Sequence, residues 1–320
     1  MDAVGVGALN VDLLYKVESL NVGGMEFQPG AEVFGDERTF AEVLSSLEKE
    51  GTLLGRHGGG SAANAMVAMG RMGFSTGVLG TIGSDPLGDF LLGELGEVDH
   101  RRVKRAGATG LCVSLLMDGE RSLMVLPNAN DMFWYDESDA RYLNESRIVH
   151  LTSFKSERAL EAQISLLDRL DPGIIVSIDP GELYARLGIE VIGPLLKRAD
   201  VIFPSEKEVE MLTGKDPLDG GRKLMELGPR LVACTMGAEG SLIITPGREH
   251  RIKAVEVEAM DKTGAGDVYA AGFLSGMLRG WPPQRCGEFA SLASAISISR
   301  YGRDGYPNTT LLERYERGDI

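Results

Sequence analysis

One short segment combines the residue types that phosphoryl transfer requires. It runs Asp261-Lys262-Thr263-Gly264-Ala265-Gly266-Asp267 and stands directly before an apolar run with helical spacing. Glycines at the start of a helix leave backbone N–H groups uncovered at the positive end of the helix dipole, which makes an anion hole. An aspartate in the first turn, Asp267, can accept a proton from an attacking hydroxyl. The segment therefore predicts a phosphoryl-transfer site. An ordinary glycine-rich helix start with an aspartate in its first turn is the alternative, because it would contain the same residue types.

The elements that must position this segment follow from apolar periodicity in the second half of the chain. There, short apolar runs typical of buried strands alternate with helical patterns. The predicted strands are 148–151, 174–178, 201–203, 231–235 and 241–245. The predicted helices are 157–170, 207–212, 221–227, 265–278 and 285–299. Such alternation is typical of a parallel sheet that is covered on both faces by helices.

The first part of the chain has a different organisation. Strands are predicted over 3–9, 13–20 and 76–80, and the glycine turn 58–60 leads into a helix of small residues. A further helix, 39–49, is predicted to begin with a capping box of Thr39 and Glu42. Asp118-Gly119 between apolar runs predicts a β-hairpin, which can form a small separate sheet with 13–20.

Composition restricts the class of protein and its partners. The chain has 320 residues, of which 43% are apolar and 25% charged, so it suits one large α/β domain with an accessory piece or two modest domains. Its formal net charge of −14 argues against nucleic acid or an anionic membrane as a partner. A phosphorylated ligand stays compatible with this charge, because backbone amides and local cations can hold it.

The cysteines and the N-terminus indicate the compartment. Cys112, Cys234 and Cys286 are widely spaced and form no CxxC pair, which is typical of free thiols in a reducing cytoplasm. The sequence has neither a signal-peptide pattern nor an apolar run near the ~20 residues of a membrane span. A cytoplasmic protein is therefore expected.

Several short motifs resemble those of one known family, in the same order along the chain. Gly-Ala-Gly-Asp at 264–267 and Gly-Gly-x-x-x-Asn at 59–64 are similar to the two signatures of the ribokinase-like carbohydrate and nucleoside kinases, the PfkB family. Further similar segments are 7–12, 80–88, 109–110, 128–130 and 235–240. Each motif is short, but their ordered occurrence over residues 3–307 is specific to this family.

The resemblance implies a fold and an activity. The fold would be a ribokinase-like three-layer α/β/α sandwich with a mostly parallel central sheet and a small β-sheet lid. Residues 1–12, 56–105 and 128–320 would form the nucleotide- and substrate-binding core, and residues 13–55 and 106–127 the lid. The protein would transfer the γ-phosphoryl group of ATP to a hydroxyl of a sugar or nucleoside, with Mg²⁺ as cofactor and K⁺ as a further ion.

The resemblance also implies the residues of the transfer site. Asp267 would be the general base, and Gly264, Ala265 and Gly266 would form the anion hole. The implied substrate-binding residues are Asn10, Asp12, Gly59, Gly60 and Asn64. A polyol requires hydrogen-bond donors and acceptors at fixed geometry, and Asp12 and Asn64 supply both kinds.

A second group of positions belongs to the nucleotide side of the resemblance. The implied cofactor-binding residues are Ser205, Glu208, Thr235, Gly237, Gly240 and Ser291. Glu208 would hold Mg²⁺ through water, and Asp261 would help to bind a monovalent cation. The chain departs from the family pattern at three positions. Ser205 stands where the family has asparagine, and Ser291 lies where the family often has asparagine. Lys262 stands where a small residue is usual.

The stretch 13–55 is unusually long, and most of it is expected to cover the sugar site as a lid and exclude water. A homodimer through the lid sheet is expected, because exposed sheet edges and faces tend to be covered.

Nucleosides, free sugars and sugar phosphates all stay open as the acceptor substrate. The family's sugar-phosphate kinases commonly carry a lysine near the asparagine signature, and its absence around Ser61 favours a pentose or nucleoside.

Two other classes of protein share part of these patterns. Gly5-Val6-Gly7-Ala8-Leu9-Asn10 has two of the three glycines of a dinucleotide-binding fingerprint, but no helical pattern follows at once. An NAD-binding oxidoreductase is therefore a less favoured alternative. A non-catalytic ligand-binding relative of the same fold is the other, which the intact Asp267 disfavours.

Overall fold

Strands and helices alternate along most of the chain in the computed structural model, which describes residues 1–117 and 120–320. In chain order the strands are β1 (Ala3–Val6), β2 (Asn10–Lys16), β3 (Asn21–Val22), β4 (Met25–Glu26), β5 (Glu32–Phe34), β6 (Thr52–Gly59), β7 (Thr76–Leu79), β8 (Thr81–Ile82), β9 (Lys104–Arg105), β10 (Gly110–Met117), β11 (Glu120–Leu126), β12 (Ile148–Thr152), β13 (Ile175–Asp179), β14 (Val201–Ile202), β15 (Leu231–Thr235), β16 (Ser241–Thr245) and β17 (Arg248–Ile252). The α-helices are α1 (Glu37–Glu50), α2 (Ser61–Arg71), α3 (Pro86–Glu94), α4 (Glu137–Asn144), α5 (Glu157–Leu167), α6 (Gly181–Leu187), α7 (Ile189–Arg198), α8 (Glu206–Thr213), α9 (Pro217–Met225), α10 (Ala265–Leu278), α11 (Pro283–Ser297) and α12 (Thr309–Arg317).

The larger sheet has the strand order β17-β16-β15-β14-β13-β12-β1-β7 within the described residues. Pairing is parallel from β7 to β15 and antiparallel between β15, β16 and β17. Strands β1, β7 and β12 are buried at every position. Because a parallel sheet buried on both faces requires a helical cover on each, these strands read as continuous apolar runs.

Helices cover both faces of this sheet. Buried apolar residues on one face pack with α2, α3, α10, α11 and α12, and those on the other face pack with α4 to α9. The predicted three-layer α/β/α sandwich is therefore confirmed, and α10 has the bounds that the sequence predicted. In the described part of the chain, no helix has both the length and the apolar surface needed to cross a bilayer.

A second, smaller sheet has the strand order β5-β11-β10-β2-β6. Strand β2 pairs parallel to β10 and antiparallel to β6, and β10 and β11 form the predicted hairpin. The predicted turn residues Asp118 and Gly119 lie outside the described residues. Helix α1 packs its buried Phe40, Val43 and Leu47 into the same apolar cluster as strands β10 and β11.

The start of helix α1 differs from the sequence prediction. The predicted capping box of Thr39 and Glu42 is wrong, because the helix begins at Glu37 and is capped by Asp36. The Thr39 backbone N–H donates to the Asp36 carboxylate at 2.7 Å. Aspartate caps helices as well as threonine does, and here it stands three residues earlier in the chain.

Strand β6 was not predicted from the sequence. Its residues Thr52, Leu53 and Leu54 are all exposed, so the alternation of buried and exposed positions that marks a strand is missing there. The strand continues through Gly59, so of the predicted glycine turn 58–60 only Gly60, with φ of 98°, has a positive φ. Both β2 and β6 cross the predicted boundaries near residues 12 and 56, and the division of the chain into core and lid stays a prediction.

Candidate active site

A cavity of about 320 Å³ is lined by residues of both sheets. The larger sheet contributes residues at or after the carboxyl ends of β1, β12 and β13, including Ala8, Thr152 and Gly181. The smaller sheet contributes Asp12 and Arg121. Ligand sites of parallel α/β sheets lie at the carboxyl ends of the strands, so the architecture places a small-molecule site here.

The start of helix α10 forms part of the cavity wall. Gly264 has φ of 69° as the N-terminal flanking residue and, as a glycine, has no side chain to accept a hydrogen bond from the first turn. Gly264, Ala265 and Gly266 all line the cavity. A Cβ at Gly266 would enter open space, so an oxygen atom of a ligand can approach the backbone there. The predicted anion-hole residues thus lie together on the cavity wall.

Asp267 lies in the first turn of α10, lines the cavity and is 8% exposed. Burial raises the pKa of its carboxyl above the usual range, while hydrogen bonds and the guanidinium groups of Arg303 and Arg121 oppose the rise. Its Oδ2 accepts a hydrogen bond from Asn64 Nδ2 at 2.8 Å. A buried carboxylate with a raised pKa is a stronger base than an exposed one, as proton abstraction requires.

Asn64 is held between Asp267 and Arg303. Arg303 donates to Asn64 Oδ1 from Nε at 3.1 Å and from Nη2 at 3.0 Å, and the Arg303 side chain is buried. The side-chain amide of Asn64, which was predicted to bind substrate, is therefore already hydrogen-bonded through both its nitrogen and its oxygen, although Asn64 also lines the cavity. Sequence reasoning missed Arg303, because its segment, Gly302 to Gly305, carries no motif that indicates a contact with Asn64.

Asp12 and Asn10 face the same cavity from strand β2. Burial raises the pKa of Asp12 to about 6, against the lowering effect of Arg121 and Arg303. Asn10 Oδ1 accepts a hydrogen bond from Asn130 Nδ2 at 2.8 Å, and Asn130 also binds the Leu9 backbone. This bonding fixes the chain where it passes from the larger sheet into the smaller one, and so it positions Asp12.

Gly59 and Gly60 have steric reasons to be glycine. A Cβ at Gly59 would collide with the Asp12 carboxylate, and a Cβ at Gly60 would collide with the Ala8 carbonyl oxygen. Gly60 lines the cavity, whereas Gly59 lies behind Asp12. These glycines let β6 and α2 approach the first strands closely, and a bond from them to a sugar hydroxyl stays a prediction.

Three of the predicted nucleotide residues are brought together at the carboxyl ends of β14 and β15. Ser205 bridges to Thr235, whose N–H donates to the Pro204 carbonyl at 2.9 Å. Ser205 also caps helix α8 in a capping box with Glu208, whose Oε2 accepts the Ser205 N–H at 2.8 Å. The two side chains therefore have a structural role in addition to the predicted one.

The other predicted nucleotide residues are more dispersed. Gly237 and Gly240 flank a turn after β15 with φ of 55° and 93°. Ser291 lies on helix α11, where its hydroxyl donates to the Lys253 carbonyl at 3.1 Å. None of the predicted nucleotide residues lines the 320 Å³ cavity within the described part of the chain. Their binding roles stay predictions.

Asp179, at the end of β13, is an acidic residue that sequence reasoning missed. Burial raises the pKa of its carboxyl well above the usual range, and the nearby carboxylates of Glu208 and Asp267 raise it further. The pKa of Glu208 is also raised by burial. The charges of both the predicted base and the predicted magnesium residue therefore act on Asp179. Its position, at the end of a buried strand before Pro180, was the available sequence signal.

Asp261 lies beside a second cavity of about 30 Å³ that shares Asp12, Asn64 and Arg121 with the first. Its carboxylate accepts backbone N–H bonds from Thr263 at 2.9 Å and from Gly302 at 3.1 Å. These bonds connect the segment before α10 to the Gly302 turn. The predicted monovalent-cation role of Asp261 stays a prediction.

Comparison with known proteins gives a single family. The profile of the pfkB family carbohydrate kinases matches residues 36–310. An uncharacterised sugar kinase of Archaeoglobus fulgidus is 32% identical over 248 residues, which cover 76% of this chain and 99% of that protein. An ATP-dependent ribose-1-phosphate kinase of Halopiger xanaduensis is 31% identical over 256 residues, covering 78% of this chain and 83% of the relative.

Solved structures agree on the fold. The crystal structure of adenosine kinase from Sinorhizobium meliloti superimposes with a TM-score of 0.85 and covers 99% of both chains. The sequences are 21% identical, so this likeness concerns the fold alone. The ribokinase-like architecture with its small lid sheet, expected from the motifs, is thereby confirmed.

Proposed function

Because the chain belongs to the pfkB family of carbohydrate kinases, which are phosphotransferases, we propose that it transfers the γ-phosphoryl group of ATP to a hydroxyl of a sugar or nucleoside, with Asp267 as the general base. One observation carries this proposal. Asp267, the uncovered first turn of α10 and Asp12 all line one cavity. A base, an anion hole and a polyol-binding carboxylate therefore share a single space, as an in-line transfer requires.

The proposed step balances as a single displacement. The acceptor hydroxyl binds near Asp12, and its oxygen attacks the γ-phosphorus while its proton passes to the Asp267 carboxylate. A new O–P bond forms, the bond between the γ-phosphorus and the β,γ-bridging oxygen breaks, and ADP leaves. Asp267 can serve as the acceptor of the proton because burial raises the pKa of its carboxyl.

The charge that develops on the transferring group would be met by the start of α10. The amides of a helix N-terminus bind anions, and Gly266 leaves open space beside its backbone. Lys262 also lines the cavity and adds a positive charge on this side. Preorganised donors of this kind stabilise a phosphoryl transition state without rearrangement.

The residues near Glu208 fit a divalent cation. The half-buried carboxylates of Asp179 and Glu208 lie close enough for Glu208 to raise the pKa of Asp179, and a bound cation would relieve this repulsion. No group of three or more His, Cys, Asp or Glu side chains in the described residues could hold a metal directly. We propose that Glu208 holds Mg²⁺ through water. When bound, Mg²⁺ would neutralise charge on the nucleotide phosphates.

The two alternatives are less well supported. Strand β2 begins at Asn10, so no helix N-terminus follows the Gly5–Gly7 segment where a dinucleotide pyrophosphate would bind. A non-catalytic relative would have no need for a buried carboxylate beside an uncovered helix start. Family membership also favours a kinase over both alternatives.

The variant Asp267→Asn tests the proposed base. We expect turnover of sugars or nucleosides with ATP and Mg²⁺ to fall by roughly 10²–10⁴-fold, because asparagine cannot accept the proton. Nucleotide affinity, measured by calorimetry, is expected to stay near that of the wild type. Asp219→Asn, at an exposed position on α9, serves as the control. Full activity of Asp267→Asn would contradict the assignment.

A further inference from the structure

Arg121 is a cation of the acceptor side that the proposed mechanism does not use. It lies on strand β11 of the smaller sheet and lines both the 320 Å³ cavity and the 30 Å³ cavity beside it. Its side chain is 20% exposed. The residue therefore holds a mostly buried guanidinium group near Asp261, in the segment before α10.

The guanidinium of Arg121 is incompletely bonded. Its Nη2 donates to Ser114 Oγ at 2.7 Å, and its Nη1 lies 4.0 Å from Asp261 Oδ1. Its Nε is buried and has no hydrogen-bond partner among the described residues. An unmade bond on a buried charged group is costly, so the arrangement favours a ligand that accepts a hydrogen bond at this place.

A second cation also lines the cavity. Lys155, in the loop after β12, lines the cavity, and its Nζ lies 5.6 Å from the centroid of the Phe34 ring. Within the described residues, Lys155 forms no ion pair. Arg121 and Lys155 thus supply two positive charges to the wall of the same cavity.

Carboxylates also face this cavity, and their positions matter for the argument. They are Asp12, Glu32, Glu182 and Asp267. Glu182 already pairs with Arg186 and with Lys207, and the only carboxylate within 4.0 Å of Arg121 in the described part of the chain is that of Asp261. The guanidinium therefore influences Asp12, Glu32 and Asp267 at longer range but hydrogen-bonds to none of them.

We infer that the acceptor substrate carries an anionic group, a phosphate ester or a carboxylate, which Arg121 binds with help from Lys155. This inference rests on the proposed kinase function and names the substrate class for the same cavity. A guanidinium matches the planar or trigonal oxygens of such groups and binds them more strongly than it binds a neutral hydroxyl. Arg121 here takes the place of the lysine near Ser61 whose absence favoured a neutral acceptor.

The simplest competing role for Arg121 is that of a counter-charge to Asp12. In that case it would affect neutral and anionic acceptors alike, because Asp12 would bind the hydroxyls of both. The two roles therefore differ in whether the effect of removing the guanidinium depends on the charge of the acceptor.

The test compares matched neutral and anionic acceptors. Phosphorylation with ATP and Mg²⁺ is measured for ribose against ribose 1-phosphate and ribose 5-phosphate, for fructose against fructose 6-phosphate, and for glucose against gluconate. We expect kcat/KM of the best anionic acceptor to exceed that of its neutral partner by roughly 100-fold, as an added charged hydrogen bond gives. The phosphate and carboxylate arms distinguish the two kinds of anion. Equal use of both members of every pair overturns the inference.

Variants of Arg121 decide whether this residue is responsible. At a pH above the acid limb, Arg121→Met is expected to lower kcat/KM for the anionic acceptor by roughly 10- to 100-fold more than for its neutral partner, because the lost charge beside Asp12 and Asp267 affects both acceptors alike. Arg121→Lys is expected to lie between the wild type and Arg121→Met. Arg38→Met, on the exposed face of α1, is the matched control. An equal loss for neutral and anionic acceptors overturns the inference.

A binding measurement separates failure of the inference from failure of the proposed function. Inorganic phosphate is titrated against wild type and Arg121→Met, and the shift in melting temperature is recorded. We expect phosphate to stabilise the wild type more than the variant. If no acceptor is phosphorylated, the kinase proposal fails and this arm alone decides the anion subsite. Equal stabilisation of the wild type and Arg121→Met by phosphate then overturns the inference that Arg121 binds an anionic group.

Discussion

Asp267 is held by hydrogen bonds that run through Asn64 to Arg303. Arginine can only donate, so the two bonds from Arg303 fix Asn64 Oδ1 toward the guanidinium and turn Asn64 Nδ2 toward Asp267. The Arg303 charge also opposes the rise that burial causes in the pKa of Asp267. Arg303 is therefore a positioning residue, which orients the base and keeps it ionised at lower pH.

Replacement of Arg303 should change the pH dependence of catalysis. In Arg303→Met the pKa of Asp267 should rise further, because a nearby positive charge is lost. The acid limb of the kcat/KM–pH profile is then expected at higher pH than in the wild type. Loss of the Asn64 orientation should lower kcat by roughly 10- to 100-fold. The KM for ATP should stay within about 3-fold, because only the base is displaced.

Two further variants isolate the charge of Arg303. Arg303→Lys should return the acid limb toward its wild-type position while restoring only part of kcat, since lysine lacks the planar fork. Arg317→Met, at an exposed position on α12, should leave the profile unchanged. An unchanged profile in Arg303→Met, with only the melting temperature lowered, would mean that Arg303 is merely structural.

At the scale of elements, two glycines at the start of α10 have different roles, Gly264 in folding and Gly266 in the proposed function. Gly264 has φ of 69°, which glycine adopts readily and other residues do not, so it serves the fold. Gly266 lies within the helix, where any residue is allowed, and a Cβ there would enter open space. Gly266 is therefore needed only if a ligand approaches the backbone at that point.

Alanine at each of the two glycines should give opposite results. Gly264→Ala should lower the free energy of unfolding by about 1–2 kcal/mol, because a Cβ is disfavoured in the left-handed region. Gly266→Ala should keep or raise stability, since alanine favours a helix interior by about 1 kcal/mol. Its methyl group should nevertheless lower kcat at least about 10-fold by crowding the transferring group. Denaturant unfolding and steady-state kinetics measure both effects, and full activity of Gly266→Ala would argue against the anion hole.

At the scale of the whole molecule, two sheets share one site. The chain leaves the larger sheet after β1 and enters the smaller one at β2, so Asp12 comes from the smaller sheet and Asp267 from helix α10, which covers the larger one. The smaller sheet ends at strand β6 within the described residues, where Leu53 and Leu54 are 52% and 42% exposed. An edge strand with exposed apolar side chains is a surface that natural proteins cover.

The lid edge therefore predicts self-association. We expect light scattering to give the mass of a dimer for the wild type, and the mass of a monomer for the double variant Leu53→Ser with Leu54→Ser. Leu187→Ser removes an equally exposed leucine on α6 and should leave the dimer intact. A monomeric wild type over the whole accessible concentration range would contradict the predicted lid dimer.

The sequence by itself determined the features that depend on neighbours along the chain. Helix α10 has its predicted bounds because apolar spacing and the glycines before it are local signals. The core strands β15 and β16 were also predicted with their observed bounds, since a strand buried on both faces is a continuous apolar run. The ordered motifs gave the family and the fold. Strand β6 escaped prediction because its exposed edge has no such pattern.

Only the tertiary structure decided which distant side chains meet. Asn64 lies 203 residues from Asp267 and 239 from Arg303, and packing of α2 against α10 brings them together. The approach of Asp179 to Glu208 depends on the pairing of β13 with β14, and the position of Arg121 beside Asp261 depends on how the smaller sheet meets the segment before α10. Periodicity reports on neighbours one to four positions away, whereas these contacts follow from the burial of whole elements.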